Sequence, residues 1–178
     1  KGIGRAIYLN LKKKNKKVFV VSRSKKSNDH ISVDLSKKYE IQSAIKSKIA
    51  SKYKVKNLIF CQRYRGDDLE GHFKTALFSS HCFIEAIKKN LAKNCSVVFI
   101  NSIASQFIVS EQNLGYHLSK AALENFVKYN AVEYGKKRVR FNSISPGTVI
   151  KPESENFFKK SKKYSVVSKK VIPLQRLC

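Results

Sequence analysis

The stretch SVVFINSIASQFIVSEQNLGYHLSK, residues 96–120, decides the fold predicted for this chain. It begins with a short apolar run, passes through a polar segment that carries Ser102, and ends with Tyr116 and Lys120 four residues apart. A continuous apolar run is typical of a strand buried on both faces, as in a parallel sheet. A spacing of four residues places two side chains on one face of a helix. The stretch therefore predicts a strand, a loop and a helix in succession.

Outward from this stretch, apolar runs alternate with segments of helical periodicity. Strands are predicted at residues 18–21, 58–61, 96–101 and 138–144, with a shorter run at 31–33. Helices are predicted at residues 3–14, 41–49, 69–91 (one helix or two) and 115–134. Strands that alternate with long helices form right-handed crossovers and give a parallel sheet covered by helices on both faces. The predicted fold class is α/β, a three-layer, doubly wound parallel sheet.

The C-terminal residues 151–178 differ from the rest, because they contain two prolines, many lysines and little periodicity. They are predicted to form a loop with a short helix, and not a second domain. A length of 178 residues is enough for one domain with its own core. Residues 1–178 are therefore predicted to be a single domain that includes residues 151–178, the part for which the family resemblance described below implies a substrate-loop region.

The chain is strongly basic, with a formal net charge of +25 and a sequence pI near 10.1. Such a charge raises the question of nucleic-acid binding. Only seven of the 37 basic residues are Arg, however, and the lysines are spread along the whole chain. Aromatic residues are not interleaved with Arg in the pattern of a base-stacking surface. A general lysine bias is the favoured interpretation, an acidic partner is second, and dedicated nucleic-acid binding is third.

Cysteine usage and hydropathy indicate an intracellular protein. The four cysteines form no C-x-x-C motif and have no metal-ligand spacing with the four histidines, so free thiols and no metal are predicted. No window approaches the roughly 18 uninterrupted apolar residues of a membrane span. A cytoplasmic location without membrane contact is therefore predicted.

Ser102, Tyr116 and Lys120 supply a hydroxyl, a phenol and an ammonium, a set that suits proton donation to a carbonyl. The Y-x-x-x-K spacing alone is weak, because Tyr8 and Lys12 repeat it. Context separates the two pairs. Ligands of parallel α/β sheets bind beyond the carboxyl ends of the strands, and Ser102 directly follows a predicted strand.

Several further residues follow predicted strands or open the first helix, and together they resemble the short-chain dehydrogenase/reductase family. Gly2-Ile3-Gly4 matches the end of the family's T-G-x-x-x-G-x-G motif, and Ser102, Tyr116, Lys120 and Pro146-Gly147 stand at family spacing. The resemblance covers essentially the whole chain and implies a Rossmann-like fold. The chain starts at Lys1 and contains no Met, so it is predicted to be a fragment that lacks the first strand and the C-terminal strand.

The resemblance implies an NAD(P)(H)-dependent oxidoreductase that interconverts a carbonyl and a secondary alcohol. Tyr116 would donate the proton to the carbonyl oxygen. A free phenol has a pKa of about 10, and an ammonium one helical turn away lowers it. Lys120 would supply that ammonium and hold the nicotinamide ribose, and Ser102 would stabilise the developing negative charge.

The resemblance also implies a set of cofactor-binding residues. Gly2, Ile3 and Gly4 would let the backbone approach the pyrophosphate at a helix N-terminus. Pro146, Gly147 and Val149 belong to the turn that meets the nicotinamide carboxamide in the family.

Specificity for the adenosine half would come from the first two strands. NAD-preferring members tend to carry an acid where this chain has Ser22, and Arg23 follows it. Arg23 and Lys1 therefore favour NADP(H) over NAD(H), because a guanidinium can bind a 2′-phosphate with two hydrogen bonds. Asp34 matches the family residue near the adenine. As an alternative, Arg23 is a plain surface cation and Asp34 a loop or helix cap.

The chain departs from the family pattern at supporting positions. Cys61-Gln62-Arg63-Tyr64 replaces N-N-A-G, Ala76 stands where many members carry a proton-relay Asn, and Lys151 stands where a Thr often assists the carboxamide. Arg63 and Arg65 would suit an anionic or carrier-bound substrate, with surface cations as the alternative. A homo-oligomer is expected as in the family. The competing hypothesis for the whole chain is a catalytically degenerate binding module that uses its basic surface on a polyanion.

Overall fold

The computed structural model describes residues 2–24, 29–50 and 52–178. Lys1, one of the two residues that favour NADP(H), lies outside the described residues. The described chain begins directly with helix α1, Gly2–Lys13. Two residues beyond the end of this helix, Asn15 has a φ of +53°, in the left-handed region that Asn tolerates after helices.

The strands are all parallel, and they form two sheets. Strands β1 (Val20–Ser22) and β2 (His30–Ser32) pair with each other. Strands β3 (Val55–Phe60), β4 (Leu91–Ile100) and β5 (Arg140–Ile144) form the larger sheet in the order β3-β4-β5. The predicted parallel α/β class is confirmed. Among the described residues, no ladder hydrogen bonds join β1 to β3, so the parallel strands form two hydrogen-bonded sheets.

The helices between the strands include two π-helical turns. Helix α2 (Lys38–Ile45) continues into a π-turn at Lys46–Ala50. The segment predicted as one helix or two contains α3 (Leu69–Phe73) and α4 (Ser79–Ile87), joined by a π-turn at Lys74–Phe78. Helix α5 spans Leu114–Gly135, close to its predicted extent.

Strand β4 begins five residues earlier than the apolar run indicated, at Leu91 and not Ser96. The buried amide of Asn90, just before it, donates to the carbonyls of Ala50 (2.8 Å) and Tyr53 (3.0 Å). These two hydrogen bonds fix the entry of the strand, which hydropathy alone does not reveal.

One hydrophobic core extends from the smaller sheet to the larger one. At its centre the Phe60 and Phe99 rings stack at 4.4 Å, and Phe83 and Phe126 meet them edge-on at 5.7 and 5.9 Å. Aromatic pairs of this kind contribute about 0.5–1.5 kcal/mol each beyond area burial. These contacts hold the carboxyl ends of β3 and β4 against α4 and α5.

The C-terminal segment is more helical than predicted. It contains α6 (Glu155–Lys160) and α7 (Lys162–Val171), so the expectation of a loop with a single short helix was wrong. Three aromatic rings pack together there: Phe157, Phe158 and Tyr164, with Phe158 and Tyr164 at 4.9 Å. The dense lysines of this segment hide the periodicity that would have indicated helices.

Candidate active site

Tyr116 lies in the first turn of α5, where capping fixes its position. The Asn113 side chain caps the helix, and its Oδ1 accepts a hydrogen bond from the Tyr116 backbone N–H at 2.9 Å. The Tyr116 residue is 9% exposed. The phenol is thus held at the N-terminal end of a 22-residue helix that packs on strand β5.

Lys120 lies one turn further along α5 and is 5% exposed. Its Nζ is 5.7 Å from the Tyr116 ring centroid and donates to the Ile100 carbonyl at 3.0 Å. Burial, and then the nearby charge of Arg63, lower the pKa of Lys120 from 10.5 to about 8. The ammonium therefore sits beside the phenol and next to the end of β4.

Ser102 lies just beyond β4 and caps a short 3₁₀ turn at Ile103–Ser105. Its Oγ accepts from the Ala104 backbone N–H at 3.2 Å, and the turn packs against α5. The neighbouring serine is differently engaged, because Ser105 Oγ donates to the Ser102 carbonyl at 2.9 Å. Ser102, Tyr116 and Lys120 are thus carried by two elements in contact.

The turn after β5 reaches the same place. The Pro146 carbonyl accepts from the Ile103 backbone N–H at 3.3 Å, and a Cβ built on Gly147 would lie 4.0 Å from the Ile103 side chain. Val149 is half-buried between two residues that bond to the chain end: the Cys178 N–H donates to the Thr148 carbonyl, and the Ile150 N–H donates to the Cys178 carbonyl.

The segment that replaces the family's N-N-A-G places a second cation on Tyr116. The guanidinium carbon of Arg63 is 4.8 Å from the Tyr116 ring centroid. Arg63 Nη2 donates to Gln112 Oε1 at 2.7 Å, so a loop residue before α5 holds the guanidinium in place. Gln62 bonds away from the ring, because its Nε2 donates to Ser80 Oγ at 2.7 Å.

His72 supports the opposite side of this arrangement. It is 4% exposed, and its ring meets those of Tyr64 and Tyr116 edge-on at 5.1 and 6.0 Å. A Cβ built on Gly115 would lie 2.7 Å from the His72 ring. Only glycine at position 115 therefore lets α5 approach His72 this closely.

His117 holds the loop that precedes α5 in place through two hydrogen bonds. Its Nε2 accepts from the Val109 backbone N–H at 2.9 Å, and its Nδ1 donates to the Asn113 carbonyl at 2.9 Å. These two bonds require a neutral imidazole with the proton on Nδ1. The loop that carries Gln112 is thereby tied to the helix that carries Tyr116.

A small cleft lies beside Tyr116 and Lys120, and Ser102 and the turn after β5 are not among the residues that line it. Tyr116, Lys120, Arg63 and His72 line it, and so does Ala76, which stands where many family members carry the relay Asn. The methyl group of Ala76 offers no hydrogen bond, so the wall of the cleft beside Lys120 lacks an amide at that position.

The glycines of α1 lie beside the end of β3 and beside a lysine. Gly2 has a φ of +59°, and a Cβ there would lie 3.6 Å from Cε of Lys151. A Cβ on Gly4 would lie 3.3 Å from the Cys61 side chain, so the helix approaches β3 closely. With Ile3 between them, the first turn of α1 offers unpaired N–H groups and no acidic residue. These features fit a pyrophosphate.

Arg23 and Asp34 follow the two strands of the smaller sheet. Arg23 follows β1, and its carbonyl accepts from Ser32 Oγ at 2.9 Å. Asp34 Oδ1 accepts from the backbone N–H and the Oγ of Ser36, at 2.9 and 2.8 Å. These two bonds are the main cause of the lowered pKa of Asp34, and the charge of Arg23 adds to it. These bonds are the ones expected from the alternative interpretation of Asp34 as a loop cap.

Asn101, which directly precedes Ser102, carries a buried amide that the sequence analysis did not single out. It is 3% exposed, and neither its Oδ1 nor its Nδ2 has a hydrogen-bond partner among the described residues. Its position after Val97 and Phe99 on the buried face of β4 was the available signal. Lys151 was considered only as the replacement for a Thr, and its proximity to Gly2 was not predicted, because it joins distant parts of the chain.

The described residues form neither a cluster that could hold a metal ion nor a membrane-spanning helix. Over residues 2–24, 29–50 and 52–178, no group of three His, Cys, Asp or Glu side chains could hold a metal ion. In that same part of the chain, no helix is long and apolar enough to cross a membrane.

The chain is similar to known proteins in sequence and in fold. The family model described as "Enoyl-(Acyl carrier protein) reductase" matches residues 60–178. A short chain dehydrogenase family protein from Francisella tularensis has a similar structure, with a TM-score of 0.76 and 26% identity, covering 99% of this chain and 81% of that one.

Two curated relatives match shorter stretches. Glucose 1-dehydrogenase of Gluconobacter oxydans is 33% identical over 79 residues, 44% of this chain and 29% of its own length. NADH-dependent L-xylulose reductase of Ambrosiozyma monospora is 31% identical over 101 residues, 54% of this chain and 37% of its own length. The match spans about a third of these relatives. The family model and the shared fold together show that the chain belongs to the short-chain dehydrogenase/reductase family of oxidoreductases.

Proposed function

We propose that this protein interconverts a carbonyl and a secondary alcohol with NAD(P)(H), and that Tyr116 is the proton donor and acceptor. The observation that carries the proposal is the buried pair on α5, with Lys120 Nζ 5.7 Å from the Tyr116 ring and no carboxylate in ion-pair contact with Lys120 among the described residues. The bound cofactor supplies the hydride chemistry.

The protein's own groups would act on the carbonyl oxygen. Tyr116 gives its proton to that oxygen, and the phenolate left behind is stabilised by the ammonium of Lys120. Ser102 Oγ would turn from the Ala104 N–H to donate to the same oxygen, stabilising the negative charge that develops there. In the oxidation direction the phenolate takes the proton back.

The cofactor would lie along the ends of the strands. Gly2, Ile3 and Gly4 would bind the pyrophosphate, and the Lys151 side chain beside Gly2 adds a cation there. Lys120 would also bind the nicotinamide ribose, and Pro146, Gly147 and Val149 the carboxamide. Asp34 would accept from the adenine amine.

We propose NADP(H) as the preferred cofactor, with Arg23 binding the 2′-phosphate. Arg23 is exposed, follows β1, and forms no ion pair among the described residues. Relatives do not decide this point: one of the curated relatives is named NADH-dependent, and a fold neighbour from Pseudomonas aeruginosa is an NADP complex.

The function is tested by assaying purified full-length protein with NADPH and NADH against a panel of ketones, with detection of the alcohol product. Ser102→Ala should lower kcat/KM by about a hundredfold, as loss of an oxyanion donor does, and should leave cofactor binding intact. Wild-type protein that binds NADPH and reduces no ketone would contradict the proposal.

We further propose one domain over residues 1–178, a cytoplasmic location and a homo-oligomer. A core shared by both sheets supports the single domain, and four free cysteines support a reducing compartment. On α5, Leu118, Tyr129 and Val132 are exposed at helical spacing, which suits a second copy of the chain. Light scattering of the Tyr129→Asp, Val132→Asp variant should report a smaller assembly than wild type.

A further inference from the structure

We propose that Arg63 is a specificity-determining residue that binds a carboxylate or phosphate on the substrate, close to the carbonyl that receives the Tyr116 proton. The inference rests on the proposed function and adds the substrate class to it: ketones that carry a negative charge near the reacting carbon, and the corresponding hydroxy acids.

The Arg63 guanidinium lies close to the phenol that would give the proton. The Arg63 guanidinium lies over one face of the Tyr116 ring, with its central carbon 4.8 Å from the centroid. Arg63 is exposed, whereas the Tyr116 residue beneath it is 9% exposed. A substrate whose carbonyl oxygen reaches the phenol therefore comes close to the guanidinium as well.

The Arg63 guanidinium has N–H donors that are available to a ligand. A guanidinium has several N–H donors arranged to bind a carboxylate or phosphate with two parallel bonds. Only the bond from Nη2 to Gln112 Oε1 is formed in the described residues, and that partner is a neutral amide. Gln112 orients the guanidinium and leaves its charge uncompensated.

The cleft carries positive charge. Arg63 and Lys120 line the same cleft, and the charge of Arg63 helps to lower the pKa of Lys120. Nearby acids are engaged elsewhere: Asp67 accepts from Asn113 Nδ2 at 3.0 Å, and Asp68 accepts from the Tyr64 hydroxyl. Two cations without an acid partner would be stabilised by an anionic group on the ligand.

A purely structural role for Arg63 predicts a different result. If the guanidinium only packs on Tyr116, its loss affects charged and neutral ketones alike. If it binds a substrate anion, its loss acts on the charged ketone selectively. The ratio between an acid and its ester therefore separates the two roles.

The test uses acetoacetate and methyl acetoacetate, which differ in one negative charge. Binding to the full-length protein is measured by calorimetry with NADP⁺ present, and reduction is measured with NADPH. Wild type should favour acetoacetate by about tenfold or more in Kd and in kcat/KM, the scale of a hydrogen bond to a charged group. Arg63→Gln should bring both ratios close to one, and Arg63→Lys should restore them in part. Arg65, the other arginine that the sequence suggested for an anion, is exposed and does not line the cleft, so Arg65→Gln removes the same charge two residues away and should keep the wild-type ratios.

The outcomes separate this proposal from the catalytic one. Selective binding of acetoacetate that Arg63→Gln abolishes, without reduction of either ketone, supports the anion site and contradicts the proposed function. Reduction of both ketones with an acid-to-ester ratio that Arg63→Gln leaves unchanged supports the function and overturns the anion site. Wild type that binds acetoacetate no better than its ester also overturns it.

Discussion

Two helices of this chain carry a tyrosine followed four residues later by a lysine, and their surroundings differ. In α1, the Tyr8 hydroxyl and Lys12 Nζ both contact Asp29 Oδ2, at 3.4 and 2.8 Å. The Lys12 and Asp29 side chains are 44% and 34% exposed. In α5, Tyr116 and Lys120 are buried.

The difference shows what turns a spacing into a candidate site. Asp29 neutralises the α1 pair and holds the helix against β2, so that pair serves structure. The α5 pair has no acid in ion-pair contact among the described residues, and its ammonium is desolvated, which lowers the pKa of Lys120 to about 8. A charge kept in that state is available to the phenol and to a ligand.

Replacing each lysine by methionine should give the largest difference in activity between the two pairs. Lys120→Met should lower kcat/KM for ketone reduction by about a thousandfold, because it removes both the partner of the phenolate and a cofactor contact. Lys12→Met should leave kcat/KM close to wild type. Equal losses in the two variants would refute the assignment of the α5 pair.

The same substitutions should have opposite effects on stability. Desolvation makes the Lys120 ammonium unfavourable, so Lys120→Met should raise the free energy of unfolding at pH 7 by about 2 kcal/mol after the loss of the Ile100 hydrogen bond. Lys12→Met should lower it slightly. Urea unfolding of both variants and wild type measures the difference.

The pH dependence of that stability has a defined sign. The folded-state pKa of Lys120, about 8, lies below the ordinary value of 10.5, so the unfolded chain binds more protons between these values. The cost of burying the charged Lys120 is fully present below pH 8 and disappears as the pH rises toward 10.5. Wild type should therefore gain stability relative to Lys120→Met across this range, and a constant difference would contradict the burial argument.

On the smaller sheet, which the Tyr8–Lys12 pair supports, Arg23→Ser should change cofactor choice. The Kd for NADPH should rise about tenfold, since an exposed charge-assisted contact to the 2′-phosphate is lost. The Kd for NADH serves as the internal control and should not change. A parallel rise for both cofactors would remove Arg23 from the 2′-phosphate site.

The smallest expected effect is that of Lys151→Ala. Loss of the cation beside Gly2 should weaken NADPH and NADH equally, by about fivefold, because the pyrophosphate is common to both. Lys13→Ala, at the other end of α1, is the matched control and should bind both cofactors as wild type does. Fluorescence titration of the reduced cofactors measures all three proteins.

The sequence predicted the fold class and the elements that carry the candidate site, because β4 and α5 combine long apolar patterns with a clear order. Hydrophobic periodicity reports which residues are buried, and the buried Tyr116 and Lys120 lie on the longest helix of the described residues. Hydrophobic periodicity left open whether residues 69–91 form one helix or two, because the π-turn between α3 and α4 keeps the apolar pattern continuous.

Other features depend on contacts between distant parts of the chain. The stacking of Arg63 on Tyr116 and the proximity of Lys151 to Gly2 join residues far apart in sequence. The two helices of the C-terminal segment were missed because lysines dominate its composition. No spacing rule reports such contacts.

The most direct test of the central claim compares Tyr116→Phe with Tyr8→Phe, since both remove one hydroxyl from the same spacing. NADPH binding and ketone reduction are measured for the two variants and wild type. The account predicts that Tyr116→Phe binds NADPH normally and loses turnover by a factor of about a thousand or more, the scale of a lost general acid. Tyr8→Phe should retain wild-type turnover. Retained turnover in Tyr116→Phe would contradict the account.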